Sequence, residues 1–269
     1  REEGAELVAL ARENGLLLGC APDTFMGGGI QTCRKLIDDG WIGEPVSAQG
    51  FMLCRGHESW HPDPEFYYKL GGGPMFDMGP YYLTALVFLL GPVKTVAGAA
   101  KITFPERTIT SEKKFGKKVK VEVPTHVVAV LEFESGATVT LTTSFDVCGA
   151  HVRPIEIFGS EGSLSVPDPN CFGGPVEVLR QNTREWAPVP VIHGYTENSR
   201  GIGVADMAQV LLDGRGVNRP NGELAFHVLD IMHAVHDAAS EGATVELSST
   251  CAQPEAMPLN VLAGEVRSA

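Results

Sequence analysis

The side chains with the most chemistry within reach of one another lie in the run Trp60-His61-Pro62-Asp63-Pro64-Glu65-Phe66-Tyr67-Tyr68-Lys69-Leu70-Gly71-Gly72-Gly73-Pro74-Met75-Phe76-Asp77-Met78-Gly79-Pro80-Tyr81-Tyr82. Aromatic, ionisable and glycine residues at this density exceed what a mere connector needs. Three successive glycines let a backbone approach a ligand closely and expose N–H groups at a helix start. Asp77 and Tyr81 are four residues apart, so they share one helix face if the turn continues through Gly79 and Pro80. A carboxylate and a phenol, both able to exchange a proton, would then face the same cleft. The spacing is met equally well by Asp77 as a helix cap and Tyr81 as a core aromatic.

Other ionisable candidates surround this run. Lys69 lies two residues before the glycines, where it reads either as a ligand contact or as a solvated lysine. His57 and His61 flank Trp60 in an expected loop, and His61 is the better placed to line a cleft. His193, Tyr195 and Arg200 occupy a segment ahead of a later helix. His233 and His236 are three apart on the last helix, but no carboxylate pair or Cys motif accompanies them, so they read as structural rather than metal ligands. His126 opens a strand and also reads as structural. Six scattered cysteines without a C-x-x-C pair fit reduced thiols in a cytosolic protein, and no metal site is expected.

Positioning these groups requires a framework, and the chain is large enough to supply one. Its 269 residues are 43% hydrophobic and 20% charged, a globular composition that excludes a disordered or collagenous chain. A net charge of -12 makes nucleic acid and anionic membrane poor partners. The apolar run Tyr81 to Leu90 falls short of the roughly 20 residues that span a bilayer.

Residues 1 to 15 have helical apolar spacing at Leu7, Val8, Leu10 and Ala11, and read as a helix already under way with no initiator Met. Leu16 to Ala21 reads as a buried parallel strand, and Gly27 to Asp39 as a helix ended by Gly40 and Gly43. From Val46 the pattern turns to strands: Val46 to Leu53, Val93 to Phe104, Lys118 to Val123, His126 to Phe133, Ala137 to Phe145, Ile155 to Phe158 and Ser163 to Val166. Ser135-Gly136 and Ser160-Glu161-Gly162 predict hairpins, hence a mostly antiparallel sheet. A helix is expected from about Gly79 to Leu90, and two more near the C-terminus. The last of these is introduced by an Asn221 cap and carries a stripe of Leu224, Val228, Met232, Val235 and Ala239. The segment Lys101 to Lys120 holds seven of the 21 basic residues and reads as a solvated hairpin tip.

The sequence resembles the Gfo/Idh/MocA family of NAD(P)-dependent sugar oxidoreductases, named for glucose-fructose oxidoreductase, inositol dehydrogenase and MocA. The likeness rests on Trp60, Asp63-Pro64, Gly71-Gly72-Gly73, Asp77, Gly79 and Tyr81, on the helix ending Ile37-Asp-Asp-Gly40-Trp-Ile-Gly43, and on Gly201 to Asp206 and Gly222 to Asp230. It implies an α/β plus α+β chain. Residues 1–24 would be the C-terminal remnant of a Rossmann dinucleotide-binding domain, and 25–269 an antiparallel open-sheet domain for substrate, catalysis and oligomerisation. It implies Tyr81 as acid/base, Asp77 orienting the hydroxyl, and the His193 segment on the substrate side; Trp60, His61, Lys69 and His193 are the expected substrate contacts. It further implies NAD or NADP as cofactor, a sugar or polyol as partner, and a cytoplasmic homodimer or homotetramer packed through the open sheet.

Two departures qualify the likeness. No G-x-G-x-x-G fingerprint is present, so the cofactor site and the family's E-K-P lysine are expected on absent N-terminal sequence, and this fragment alone is expected to be inactive. The family's usual catalytic His is replaced by Tyr81, and His61 stands where some relatives carry Arg. A non-catalytic ligand-binding or regulatory relative and an NAD-dependent glycosidase remain as alternative functions.

Overall fold

The computed structural model describes residues 1–214, 216–259, 261 and 265–266. Five helices are formed among them: α1 (Glu2–Glu13), α2 (Gly28–Asp38), α3 (Pro74–Leu90), α4 (Ile202–Asp213) and α5 (Gly222–Glu241). The principal strands are β1 (Pro45–Leu53), β2 (Val93–Lys101), β5 (His126–Phe133), β6 (Thr138–Ser144), β7 (Ile155–Gly159), β8 (Gly162–Val166) and β9 (Val176–Arg180). Short β10 (Ala187–Val189) and β11 (Val245–Glu246) complete a nine-stranded sheet in the order β10-β9-β8-β7-β1-β6-β5-β2-β11. A separate hairpin, β3 (Glu106–Thr108) with β4 (Lys118–Lys120), lies outside it.

Every pairing in the large sheet is antiparallel except β1 with β6, which run parallel with Leu53 opposite Ser144. Alternation drives the layering: Val127, Ala129, Leu131 and Phe133 of β5 and Val139 and Leu141 of β6 are buried, while Glu132, Thr138 and Thr140 are exposed. Helices α2, α3 and α5 pack on this sheet. Helix α3 is apolar around its whole circumference from Leu83 to Leu90 and is accordingly enclosed.

The described elements match the sequence expectations for β1, β2, β5 to β8, both hairpins and the C-terminal helices, whereas β9, β10 and β11 were not expected and Lys118–Lys120 pairs outside the large sheet. Asn221 caps α5, its Oδ1 accepting the Leu224 N–H at 2.8 Å. Two expectations are corrected. Helix α3 begins at Pro74, not near Gly79, because Gly73 takes a φ of +88° before a proline whose missing N–H costs nothing at the first turn. Leu16 to Ala21 is not a sheet strand; it makes one bridge, Gly19 to Asn221, and Leu16 is exposed. An apolar run becomes a strand only beside another strand, and here its neighbours are α1, α5 and the Pro220 carbonyl, which accepts the Cys20 N–H. The 101–120 segment forms the expected hairpin with most of its lysines exposed, and only Arg107 among its basic residues is buried. No described helix is long and apolar enough to cross a membrane.

His227 on α5 is completely buried; its Nε2 accepts the Val93 N–H at 3.0 Å and its Nδ1 faces Ser249 Oγ at 2.9 Å. Burial pushes the proton affinity of this ring, and of His193, His233 and His236, below the ordinary 6.5. The unfolded chain, with imidazoles near 6.5, therefore binds more protons than the folded chain as the pH falls past that value. The resulting expectation is a thermal midpoint that is level above about pH 7 and declines between about pH 6.5 and 5, before most carboxylates titrate. A midpoint that rose over that window would contradict it.

Candidate active site

Because β1 and β6 are parallel, their C-terminal ends emerge at the same edge of the sheet. The loop after β1 carries His57, and the residue after β6 is Phe145; their rings meet at 4.7 Å between centroids. Tyr67 packs against His57 from another side at 4.0 Å with its ring tilted by 50°, and Trp60 meets it edge-on at 5.3 Å. Into this aromatic cage comes the first turn of α3, where the Asp77 N–H bonds the Gly73 carbonyl at 3.0 Å. Asp77 Oδ2 accepts from His57 Nε2 at 3.2 Å. Tyr67 has its phenol held above the usual range, by burial first and by the Asp77 charge second, which places it in the field of the same carboxylate.

Helix α3 continues through Gly79 and Pro80, so Tyr81 follows Asp77 by about one turn on the same face. Tyr81 is half-buried and borders a cavity of about 330 Å³ formed with residues 19 to 24, Arg200, Gly203 and Met207. Its wall is pinned by Asp23, whose Oδ2 accepts the N–H groups of Gly201 and Gly203 at 2.8 and 3.0 Å at the start of α4. Arg200 lies over the Phe172 ring and bonds Asn170 and Asn198.

The basic segment clasps the loop from behind. Glu58, next to His57, accepts the Thr110 and Ser111 N–H groups on its carbonyl, and its carboxylate meets Arg107 at 3.1 Å. Ser111 Oγ donates to the His61 carbonyl at 2.8 Å. Lys113 and Lys114 pair with Asp63, and Lys114 and Lys117 with Glu65. Hydrogen bonds from these lysines hold both carboxyls down at about 2. Arg107 also bonds Asp146 and the Phe145 carbonyl, and its guanidinium lies over Tyr68 and Phe104.

The residues singled out in the sequence are therefore dispersed. Asp77 and Trp60 share the His57 cage, and His61 borders it through Trp60 and Tyr67, with its Nδ1 accepting the Asp63 N–H at 3.0 Å. Lys69 is engaged on the surface with Glu122 at 2.8 Å. His193 is buried near the start of α2, where its carbonyl crowds Gly28. His233 and His236 pack on Phe76, and His126 Nδ1 meets Ser144 Oγ at 2.9 Å. No group of three or more His, Cys, Asp or Glu among the described residues is placed to hold a metal. His57, ranked behind His61 in the sequence, is the one that meets Asp77, and Tyr67 and the Arg107 clasp behind the loop were not foreseen, since only the tertiary fold assembles them.

The glycine runs do not form a pyrophosphate cradle. At the start of α2, a Cβ on Gly27, Gly28 or Gly29 would meet the backbone of Phe172, Gly194 or Gly173 at 2.6, 2.6 and 2.0 Å, so the helix end is packed with protein. Gly72 and Gly73 bond back to the carbonyls of Lys69 and Tyr67. Neither glycine run thus fits the phosphates of a dinucleotide, while Tyr81 offers a proton-exchanging group at a cavity.

Comparison with known proteins agrees with this architecture. A family profile described as the GFO/IDH/MocA C-terminal domain matches residues 30–165, which include Asp77 and Tyr81. A protein of Amycolatopsis mediterranei (strain S699) named as a UDP-kanosamine synthase oxidoreductase subunit is 28% identical over 226 residues, 77% of this chain and 60% of that protein. This chain thus spans about three-fifths of the length of that curated relative. An NAD binding oxidoreductase from Klebsiella pneumoniae superposes with a TM-score of 0.75 at 22% identity, covering 92% of this chain and 71% of the other. Levoglucosan dehydrogenase in complex with NADH and L-sorbose does so at 0.74 and 20% identity, covering 92% and 70%. The match over half of the chain, on the elements that carry the candidate site, places this protein in the Gfo/Idh/MocA family.

Proposed function

We propose that this chain is the substrate-side portion of an NAD(P)-dependent oxidoreductase that transfers a hydride between nicotinamide and a hydroxyl-bearing carbon of a sugar, polyol or similar small molecule. The observation that carries the reading is the placement of Asp77 and Tyr81 on one face of α3, with Asp77 hydrogen-bonded and Tyr81 bordering a cavity. A nucleotide-linked amino sugar in the name of one relative, as the compound its synthase makes, and L-sorbose bound in a structural neighbour support the substrate class. A dinucleotide-binding domain contributed by sequence beyond these 269 residues would hold the cofactor, and residues 1–24 would belong to its C-terminal edge. The open sheet face, with Val130 exposed upon it, would receive a second copy.

When bound, nicotinamide supplies the hydride acceptor or donor. The work of this chain is to orient a substrate hydroxyl and to move its proton. Tyr81 as phenolate takes that proton in oxidation, becoming the phenol, and as the phenol returns it in reduction. The Asp77 carboxylate accepts a hydrogen bond from the same hydroxyl or from a neighbouring cation, and so fixes which carbon is presented.

The test is turnover by the full-length protein, followed through nicotinamide absorbance in both directions, with NAD and NADP, on aldoses, polyols and a nucleotide-activated sugar. Cofactor reduction matched by an equal amount of oxidised sugar is the expected result. Failure with every substrate and both cofactors would overturn the proposal.

A further inference from the structure

From the Asp77 contact we infer that His57 is a positioning residue, which fixes the orientation of the Asp77 carboxylate for the proton-transfer step. The inference rests on the oxidoreductase reading above and adds to it a residue 20 positions upstream of Asp77, from another element of the fold.

Among the described residues, His57 Nε2 is the sole hydrogen-bond partner of the Asp77 carboxylate. Helix α3 does not restrain this side chain, since its N-cap is Gly73 and no side-chain capping bond is made. A carboxylate on a short side chain turns readily about its last bond. Holding Oδ2 at 3.2 Å stops that rotation and leaves Oδ1 for substrate or a catalytic cation. An ionised carboxylate only accepts, so the imidazole must carry its proton on Nε2.

His57 can act as a fixed post because it cannot move. Its ring is boxed by Tyr67, Phe145 and Trp60, and the next residue, Glu58, is tied through its carbonyl and its carboxylate to the 107–111 segment. The aromatic walls shelter the imidazole side of the bond, while the Asp77 side chain keeps 28% of its surface open to a ligand. With only 11% of its side chain exposed, His57 is too enclosed to meet substrate itself and acts through Asp77.

The test uses the full-length protein and two substitutions. His57→Phe keeps an aromatic ring in the cage but removes the donor, and kcat is expected to fall by about 10- to 100-fold with KM changed by less than about threefold, the scale of a misplaced catalytic group. His57→Gln, whose amide nitrogen reaches about as far as Nε2, is expected to recover most of the loss. A third measurement needs neither cofactor nor turnover: long-range proton–nitrogen correlation should show the Nε2–H form in the wild type and a changed pattern in Asp77→Asn. Wild-type kcat in His57→Phe, no recovery by His57→Gln, or a proton resident on Nδ1 would each overturn the inference. If the wild-type protein turned over no sugar, the functional reading would fail, while the tautomer measurement would still decide the His57–Asp77 pairing.

Discussion

Tyr81→Phe in the full-length protein is expected to lower kcat by about 10²- to 10⁴-fold, the range associated with a single acid–base group. The substitution removes one oxygen and leaves the ring. That ring is partly buried against the core, and among the described residues the hydroxyl has no hydrogen-bond partner. Folding should therefore barely register the change, with a stability effect within about 0.5 kcal/mol. The combination of near-native thermal stability and collapsed turnover is diagnostic, because a structural tyrosine would show the reverse. Substrate affinity should change little, since the phenol's main contribution comes as the proton moves. Steady-state kinetics beside a melting curve makes the check. If Tyr81→Phe turned over like the wild type, the proton would have to pass through another group, and Asp77 with His57 would be the first candidates.

The second large effect falls on stability. Arg107→Met is expected to destabilise the fold by about 3–5 kcal/mol, because it strips the counter-ion from two buried carboxylates at once. The side chains of Arg107, Glu58 and Asp146 are only 9%, 11% and 5% exposed, so solvent gives little relief. The change would also vacate the carbonyls of Arg55 and Phe145 and the faces of Tyr68 and Phe104. For a chain of this size, a loss of that order lowers the thermal midpoint by roughly 6–20 °C. Replacing Glu58 and Asp146 by neutral amides in the same protein should return much of the loss, since the penalty lies in the stranded charges. A fall of less than about 2 °C for Arg107→Met would show that the clasp carries no weight.

Much of this fold could be read from local pattern. Alternation in His126 to Phe133 and the spacing of Leu224, Val228 and Met232 reflect which face each element turns inward, and both survive in the structure. What could not be read was decided across long separations. Leu16 to Ala21 has the composition of a buried strand, but composition cannot supply the neighbouring strand it would need. Lys113 and Lys117 are exposed as expected, but their partners Asp63 and Glu65, about 50 residues earlier, meet them and Lys114 only once the hairpin folds over. Arg107 was one basic residue among several until burial set it apart. Asp77 and Tyr81 were legible because the helix relates them directly, whereas His57 depends on the sheet edge that brings its loop to α3.

That sheet edge has a consequence for synthesis. The two neighbours of β1 are β6 and β7, and all of α3 and the 101–125 segment lie between them in the chain. A strand emerging from the ribosome at residue 53 thus has neither side paired until residues 138–159 have followed, a long loop to close before any reward. Phe145, which walls the His57 ring, arrives on the same late stretch. The candidate site around Asp77 consequently closes only after β6 has followed, and the nascent chain carries α3 with Asp77 and Tyr81 well before it has the surface on which they are set.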